Sequence, residues 1–130
     1  MTTKDEMERY IEEGIDALEP RYREKIQNVA ILLEDEPSRE VRTREGLGPS
    51  ETLMGLYHGV PLSERGDSYG VGETLPDTIT LYRKPIFDEA SETDGDVARV
   101  VRETIWHEFG HYFGLDEHEV RARERTRDEK

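Results

Sequence analysis

The segment from Asp96 to Gly114 constrains the fold more than any other part of the sequence, because its apolar residues follow one unbroken pattern. They recur every three or four positions, which is the spacing of one face of an α-helix. The stripe comprises Ala98, Val101, Ile105, Phe109 and Tyr112. Because a helix with such a stripe must bury it against other elements, the rest of the chain has to supply a partner surface.

The partners of this helix are predicted upstream of it. Residues 4–18 carry apolar side chains at helical spacing until Pro20 stops the run, so we expect an amphipathic first helix. Three runs typical of strands follow, at 29–33, 52–60 and 78–82. We therefore predict an α+β fold, in which a small sheet of three to four strands packs against the long helix and the N-terminal helix.

The connecting segments are predicted from their polar residues, glycines and prolines. We interpret 38–50 as a surface connection and 61–77 as a long loop that forms a flap near a cleft. Pro85 is expected to close the third strand, and the acidic stretch 88–95 to form a turn. Thr93 or Asp94 is expected to cap the long helix, and the charged residues 117–130 to form a final helix.

Length and charge limit the classes of function. A chain of 130 residues is expected to form one domain over 1–130. Its net charge of −13 disfavours nucleic acid and anionic membranes as partners, and it would attract a cationic peptide, although solubility explains the charge more simply. Cysteine is absent, so any metal must be bound by His, Asp or Glu. The N-terminus lacks a signal core and no window resembles a membrane span, which predicts a cytoplasmic protein.

The long helix carries the pattern His107-Glu108-x-x-His111. At about 100° per residue, the two histidines point about 40° apart and lie one turn apart, so both rings can reach one tetrahedral ion. Glu108 lies beside them on the helical wheel, and its expected role is that of a general base acting on a metal-activated water. The same wheel predicts that Val97, Val100 and Thr104 continue the histidine face, and that Arg99, Glu103 and Gly110 lie nearly opposite.

Gly114 suggests how a third metal ligand reaches the histidines. Glycine adopts the left-handed conformation that ends a helix without steric penalty, so the chain can reverse there. Three neighbouring residues then follow with side chains that bind metals: Asp116, Glu117 and His118. Each of them could complete the ligand set.

The stretch His107-Glu108-x-x-His111-x-x-Gly114-x-x-Glu117 resembles the HExxHxxGxxD pattern of the Asp-zincins, and of the small mini-zincins in particular. Residues 28–37, 53–62 and 75–82 also resemble strands of that family, so that the likeness spans roughly residues 10 to 120. It implies a zincin-like fold, one zinc ion, His107 and His111 as ligands, and Glu108 as the catalytic carboxylate. The family has Asp where this chain has Glu117, and Asp116 or His118 remain alternatives for that ligand.

The expected function is hydrolysis of a bond in a peptide or protein substrate by a zinc-dependent metallopeptidase. The alternative is a catalytically inactive zincin-fold protein that binds a metal or a peptide. Five residues are candidates for a donor to the developing oxyanion: Tyr57, His58, Tyr69, Tyr82 and Tyr112.

Overall fold

A computed structural model describes residues 3–61 and 76–115 and confirms the predicted α+β fold. Within those residues it contains five helices and a three-stranded mixed sheet. In chain order the elements are α1 (Lys4–Asp16), α2 (Pro20–Arg23), β1 (Val29–Glu34), α3 (Arg39–Arg44), β2 (Gly55–His58), β3 (Asp77–Tyr82), α4 (Arg83–Glu92) and α5 (Val97–Phe113). None of the described helices is long and apolar enough to cross a membrane.

The sheet has the order β1-β3-β2, so β3 lies in its centre. β1 runs parallel to β3 from the pair Val29 and Asp77 onward, whereas β2 runs antiparallel to β3, with Gly55 opposite Leu81. Five of the six residues of β3 are buried, which explains why its sequence gives the clearest strand signal. β2 is an edge strand of four residues, shorter than the predicted 52–60.

Helix α1 confirms the first predicted helix and packs against α5. It begins with a capping box, in which the Thr3 side chain accepts a hydrogen bond from the Glu6 backbone and the Glu6 side chain accepts one from Thr3. Met7 and Ile11 are buried beneath it. A Cβ at Gly14 would lie 2.8 Å from Cδ1 of Ile105, so the glycine allows the two helices to approach closely.

The prediction that 38–50 is only a surface connection is wrong, since α3 occupies its first half. The Ser38 side chain caps this short helix by accepting a hydrogen bond from the Val41 backbone. Arg42 then donates to the carbonyl groups of Gly48 and Glu51, at 2.7 and 2.8 Å. The helix therefore depends on a cap and on one arginine, and not on an apolar stripe that a sequence pattern would reveal.

The predicted turn at 88–95 is also wrong over most of its length, because α4 continues from β3 to Glu92. Pro85 lies in the first turn of α4, where the N–H that proline lacks would have no partner within the helix. The strand ends earlier, at Tyr82, and Pro85 fits the start of the helix that follows. Neither Thr93 nor Asp94 caps α5; that position is taken by Asp96, whose side chain accepts a hydrogen bond from the Arg99 backbone at 3.1 Å.

The core lies between α5 and the elements around it. Of the predicted stripe, Val101, Ile105, Phe109 and Tyr112 are buried, with Ala98 half-buried at the margin. α5 contacts α1 and α4 as well as strands β2 and β3. It therefore fills the central place that the sequence predicted for it. The predicted final helix at 117–130 and nearly all of the predicted loop at 61–77 lie outside the described residues.

Candidate metal and catalytic site

The end of α5 confirms the left-handed conformation predicted for Gly114. This residue has φ 84° and ψ 19°, the left-handed conformation, and its N–H donates to the carbonyl of His111 at 3.0 Å. The N–H of Leu115 then reaches back to the carbonyl of Gly110 at 2.9 Å. The helix thus stops directly after the second histidine. Asp116, Glu117 and His118 lie outside the described residues, so the third ligand stays a prediction.

His107 and His111 lie together on one face of α5, and both are partly exposed. Their ring centroids are 5.0 Å apart, and the ring planes are inclined by 58°. For two imidazoles on one tetrahedral zinc, a Zn–N bond of about 2.0 Å and a ring radius of about 1.2 Å give a centroid separation of about 5.2 Å. The pair therefore fits one shared ion.

The described residues supply two candidate ligands and not a complete set. Within 3–61 and 76–115, no group of three or more His, Asp or Glu side chains is arranged to hold a metal ion. A structural zinc site has four protein ligands, and a catalytic site has three and an open position. A metal ion held by His107 and His111 would therefore need a further donor from outside these described residues.

Glu108 is turned from the histidines toward strand β2. Its side chain is buried, with 7% of the residue exposed, and Oε1 accepts a hydrogen bond from the Tyr57 backbone N–H at 3.0 Å. The same oxygen lies 3.8 Å from Nδ1 of His111. The carboxylate is thus fixed from the sheet side while it remains beside one candidate metal ligand.

Strand β2 reaches Glu108 because its first residue has no side chain. A Cβ at Gly55 would lie 2.8 Å from Cγ2 of Thr104 and 3.1 Å from Cγ of Glu108, closer than ordinary packing allows. Gly55 therefore permits the contact between β2 and α5 that brings the Tyr57 N–H to the carboxylate. The sequence analysis missed this contact, because a backbone donor leaves no signal in the side-chain pattern.

A cleft of about 740 Å³ lies beside these residues, and its walls come from the segment before β2, from α4 and from α5. His107 and Glu108 line it together with Val100 and Thr104, as the helical wheel predicted, whereas Val97 of the same predicted face is not among the described lining residues. Glu103 and Arg99 also line this cleft, so their predicted position opposite the histidines is wrong. Glu103 precedes His107 by four residues, one turn of helix, and therefore shares its face.

The cleft is lined by carboxylates, and the arginine beside them is already paired. Among the described lining residues, Arg99 is the one Lys or Arg, and it donates to Asp94 and to Glu103 at 2.7 Å each. The hydrogen bonds from Arg99 lower the pKa of Asp94 to about 2. Three carboxylates of α4, here called the α4 acids, line the opposite side: Asp88, Glu89 and Glu92. A cationic group in the cleft would therefore meet uncompensated negative charge.

The structure places four of the five candidate oxyanion donors. The hydroxyl of Tyr57 donates to Oδ2 of Asp77 at 2.7 Å, and that of Tyr112 accepts from the Gln27 N–H at 3.0 Å. Both hydroxyls thus have structural partners. Tyr82 is buried, with 1% of the residue exposed. Burial raises the pKa of its hydroxyl, and the negative charges of Glu34 and Glu108 raise it further. His58 is exposed at the end of β2, and Tyr69 lies outside the described residues.

Comparison with known proteins identifies a family for the chain. A family model described as zincin-like metallopeptidase matches residues 26–127, most of the chain and all of the site elements. No curated protein gives a significant match.

Proposed function

The chain belongs to the zincin-like metallopeptidase family, and we propose that it hydrolyses peptide bonds with one zinc ion held by His107 and His111. In this proposal Glu108 is the general base. The position of Glu108 is the observation that carries the proposal. Its carboxylate is buried, with 7% of the residue exposed, and the Tyr57 N–H holds it beside a histidine pair whose separation fits one ion.

A bound zinc ion would supply Lewis-acid chemistry, lowering the pKa of a water and polarising the peptide carbonyl. Glu108 takes the proton from the attacking water and returns it to the leaving amine. The hydrogen bond from the Tyr57 N–H to Oε1 limits rotation of the carboxylate during both transfers. General bases act efficiently only when they are held within reach of the proton that they remove.

The third ligand is assigned to the residues that follow the left-handed turn. Glu117 matches the position of the carboxylate in the family pattern, with Asp116 and His118 as alternatives. The turn at Gly114 supports this assignment, since α5 ends at Phe113, two residues after His111, and the left-handed Gly114 follows directly. Any of the three supplies a donor atom that zinc accepts.

The substrate is a peptide or protein segment bound in the cleft beside Glu108. The cleft volume of about 740 Å³ lies within the range of sites that take small molecules and short peptide segments. Val100 and Thr104 form an apolar part of its floor next to His107. A side chain of the substrate can be desolvated there while its backbone lies near the histidines.

The proposal is tested with the full chain by measuring zinc content and cleavage of a quenched fluorescent peptide library. We expect about one zinc per chain, as one His pair implies, and cleavage that a chelator removes and added zinc restores. His107→Ala is expected to lose both zinc and cleavage. His58→Ala makes the same change at an exposed histidine of β2 and is expected to retain zinc.

Two results would contradict the proposal in different ways. Zinc retained without cleavage of any peptide would leave a zincin-fold protein that binds a metal or a peptide. Zinc content unaffected by His107→Ala would place the ion elsewhere and remove the basis of the mechanism.

A further inference from the structure

We propose that Tyr57 and Asp77 are positioning residues for Glu108, acting through the backbone of strand β2. Tyr57 anchors its side chain on Asp77 and thereby holds its own N–H against the Glu108 carboxylate. This inference rests on the proposed role of Glu108 as general base.

Tyr57 is held at three points. Its N–H donates to Oε1 of Glu108 at 3.0 Å, and its hydroxyl donates to Oδ2 of Asp77 at 2.7 Å. Its ring packs edge-on against Tyr112, with centroids 6.0 Å apart and planes at 77°. Tyr112 follows Glu108 by four residues on α5, so both helix contacts of Tyr57 lie on one face. One residue of β2 therefore links two adjacent turns of the active-site helix to the sheet.

Asp77 is a rigid anchor for this link. It is 4% exposed and begins β3, the central strand, opposite Val29 of β1. Its own N–H donates to the carbonyl of Asn28 at 3.1 Å. A side chain at Gly59 would collide with the Asp77 carboxylate, so the chain after β2 passes directly over it. The position of Asp77 is thus set by the centre of the sheet and not by the edge strand.

Strand β2 needs such an anchor because it is short and lies at the edge. It pairs with β3 over four residues, and β3 is its one partner strand among the described elements. A hydrogen bond from a hydroxyl to a carboxylate is about twice as strong as a neutral one. The bond between Tyr57 and Asp77 therefore adds to the four-residue pairing that fixes β2 on β3, and through the Tyr57 N–H it helps to orient Glu108.

The test compares Tyr57→Phe with wild type. This substitution removes the hydroxyl but keeps the ring and the backbone N–H. We expect kcat to fall about tenfold, since small displacements of catalytic groups are costly, while KM and zinc content stay within about twofold. Tyr10→Phe removes a hydroxyl from α1, away from the site, and is the matched control with unchanged kcat.

Asp77 supplies the rescue and the additivity test. Asp77→Asn keeps an oxygen that accepts from Tyr57 and is expected to retain most of kcat, whereas Asp77→Ala is expected to match Tyr57→Phe. The double variant Tyr57→Phe with Asp77→Ala should be no slower than either single variant, because both remove the same bond.

A measurement without turnover separates this inference from the proposed function. The amide proton at position 57 should shift upfield in Glu108→Gln, and Tyr57→Phe should shift the same resonance and speed its exchange with solvent. An unchanged amide resonance and an unchanged kcat in Tyr57→Phe would overturn the inference. If wild type cleaves no peptide, the proposed function fails, and the amide resonance alone decides whether Tyr57 and Asp77 position Glu108. If Tyr57→Phe does not fold, the amide proton at position 57 is compared in Asp77→Asn and Asp77→Ala. A shift in Asp77→Ala that is larger than in Asp77→Asn supports the inference, and no shift in Asp77→Ala overturns it.

Discussion

Substituting Gly55 by alanine tests the contact between β2 and α5 on which the orientation of Glu108 depends. The new Cβ would lie 2.8 Å from Cγ2 of Thr104, 3.1 Å from Cγ of Glu108 and 3.3 Å from Cδ2 of Leu81. Thr104 cannot easily turn away, because it is β-branched and its hydroxyl donates to the Val100 carbonyl at 2.7 Å. The strand or the helix therefore has to move.

The expected destabilisation follows from two opposing effects. Overpacking of a tight site costs about 1–3 kcal/mol, and three close neighbours place Gly55→Ala in the upper part of that range. Replacing glycine lowers the entropy of the unfolded chain and returns about 0.5 kcal/mol. The free energy of unfolding should thus fall by about 2 kcal/mol, which lowers Tm by about 8 °C for a chain of this size. Thermal and urea unfolding measure this, and peptide cleavage should fall in parallel.

Two further variants make the prediction specific. Gly48→Ala introduces a Cβ at the same 2.8 Å, but from the carboxylate end of the flexible Glu51 side chain, so its Tm should stay close to that of wild type. Adding Thr104→Ser to Gly55→Ala removes the clashing methyl group and keeps the hydroxyl, so part of the stability should return. A Gly55→Ala protein as stable as wild type, or no recovery with Thr104→Ser, would refute the reasoning.

Three other predictions concern the packing of α1, the stability of the fold at acidic pH and the charge of the cleft. Gly14→Ala should lower the free energy of unfolding in urea, because the new Cβ would lie 2.8 Å from Cδ1 of Ile105. In an Ile105→Val background, which lacks that atom, the same substitution should stabilise the protein by up to about 1 kcal/mol through helix propensity. An equal effect in both backgrounds would contradict the close contact between Gly14 and Ile105. Since Arg99 lowers the pKa of Asp94 from 3.8 to about 2, this pair should stabilise the fold above pH 3.8 and lose its effect as the pH falls toward 2. Asp94→Asn should therefore flatten the decline of stability in that window, and an unchanged slope would count against the pair. Peptides with lysine near the scissile bond should have a lower KM than matched peptides with glutamate. Glu92→Gln, which removes one of the α4 acids, should reduce this difference in KM. Equal KM values for the two peptides at low salt would contradict the negative charge assigned to the cleft.

Helix α5 and strand β3 could be predicted from the sequence because both are buried along a regular pattern. The stripe from Val101 to Tyr112 needs only the period of a helix, and Gly114 needs only the conformational freedom of glycine. The family resemblance drawn from the same residues is confirmed by the match over residues 26–127. These features are local, so they appear in a single stretch of sequence.

The sequence did not predict what depends on contacts between distant residues. Helix α3 depends on a cap and on Arg42, and α4 begins directly after β3 and runs through most of the acidic stretch that predicts a turn. The bonds that hold Glu108 join residues 51 and 20 positions apart, one of them through a backbone N–H. The position of Glu103, by contrast, could have been predicted from the sequence, because its spacing of four from His107 places both side chains on one face of the helix.

The most direct test of the account is the rate of peptide cleavage by Glu108→Gln protein that has been shown to contain zinc. The substitution keeps the size of the side chain and an oxygen that accepts from the Tyr57 N–H, but it removes the base. We expect zinc content and Tm close to those of wild type, with kcat lower by a factor of about 10² to 10⁴, the contribution typical of a general base. Zinc-loaded Glu108→Gln that cleaves peptides at the wild-type rate would contradict the central claim.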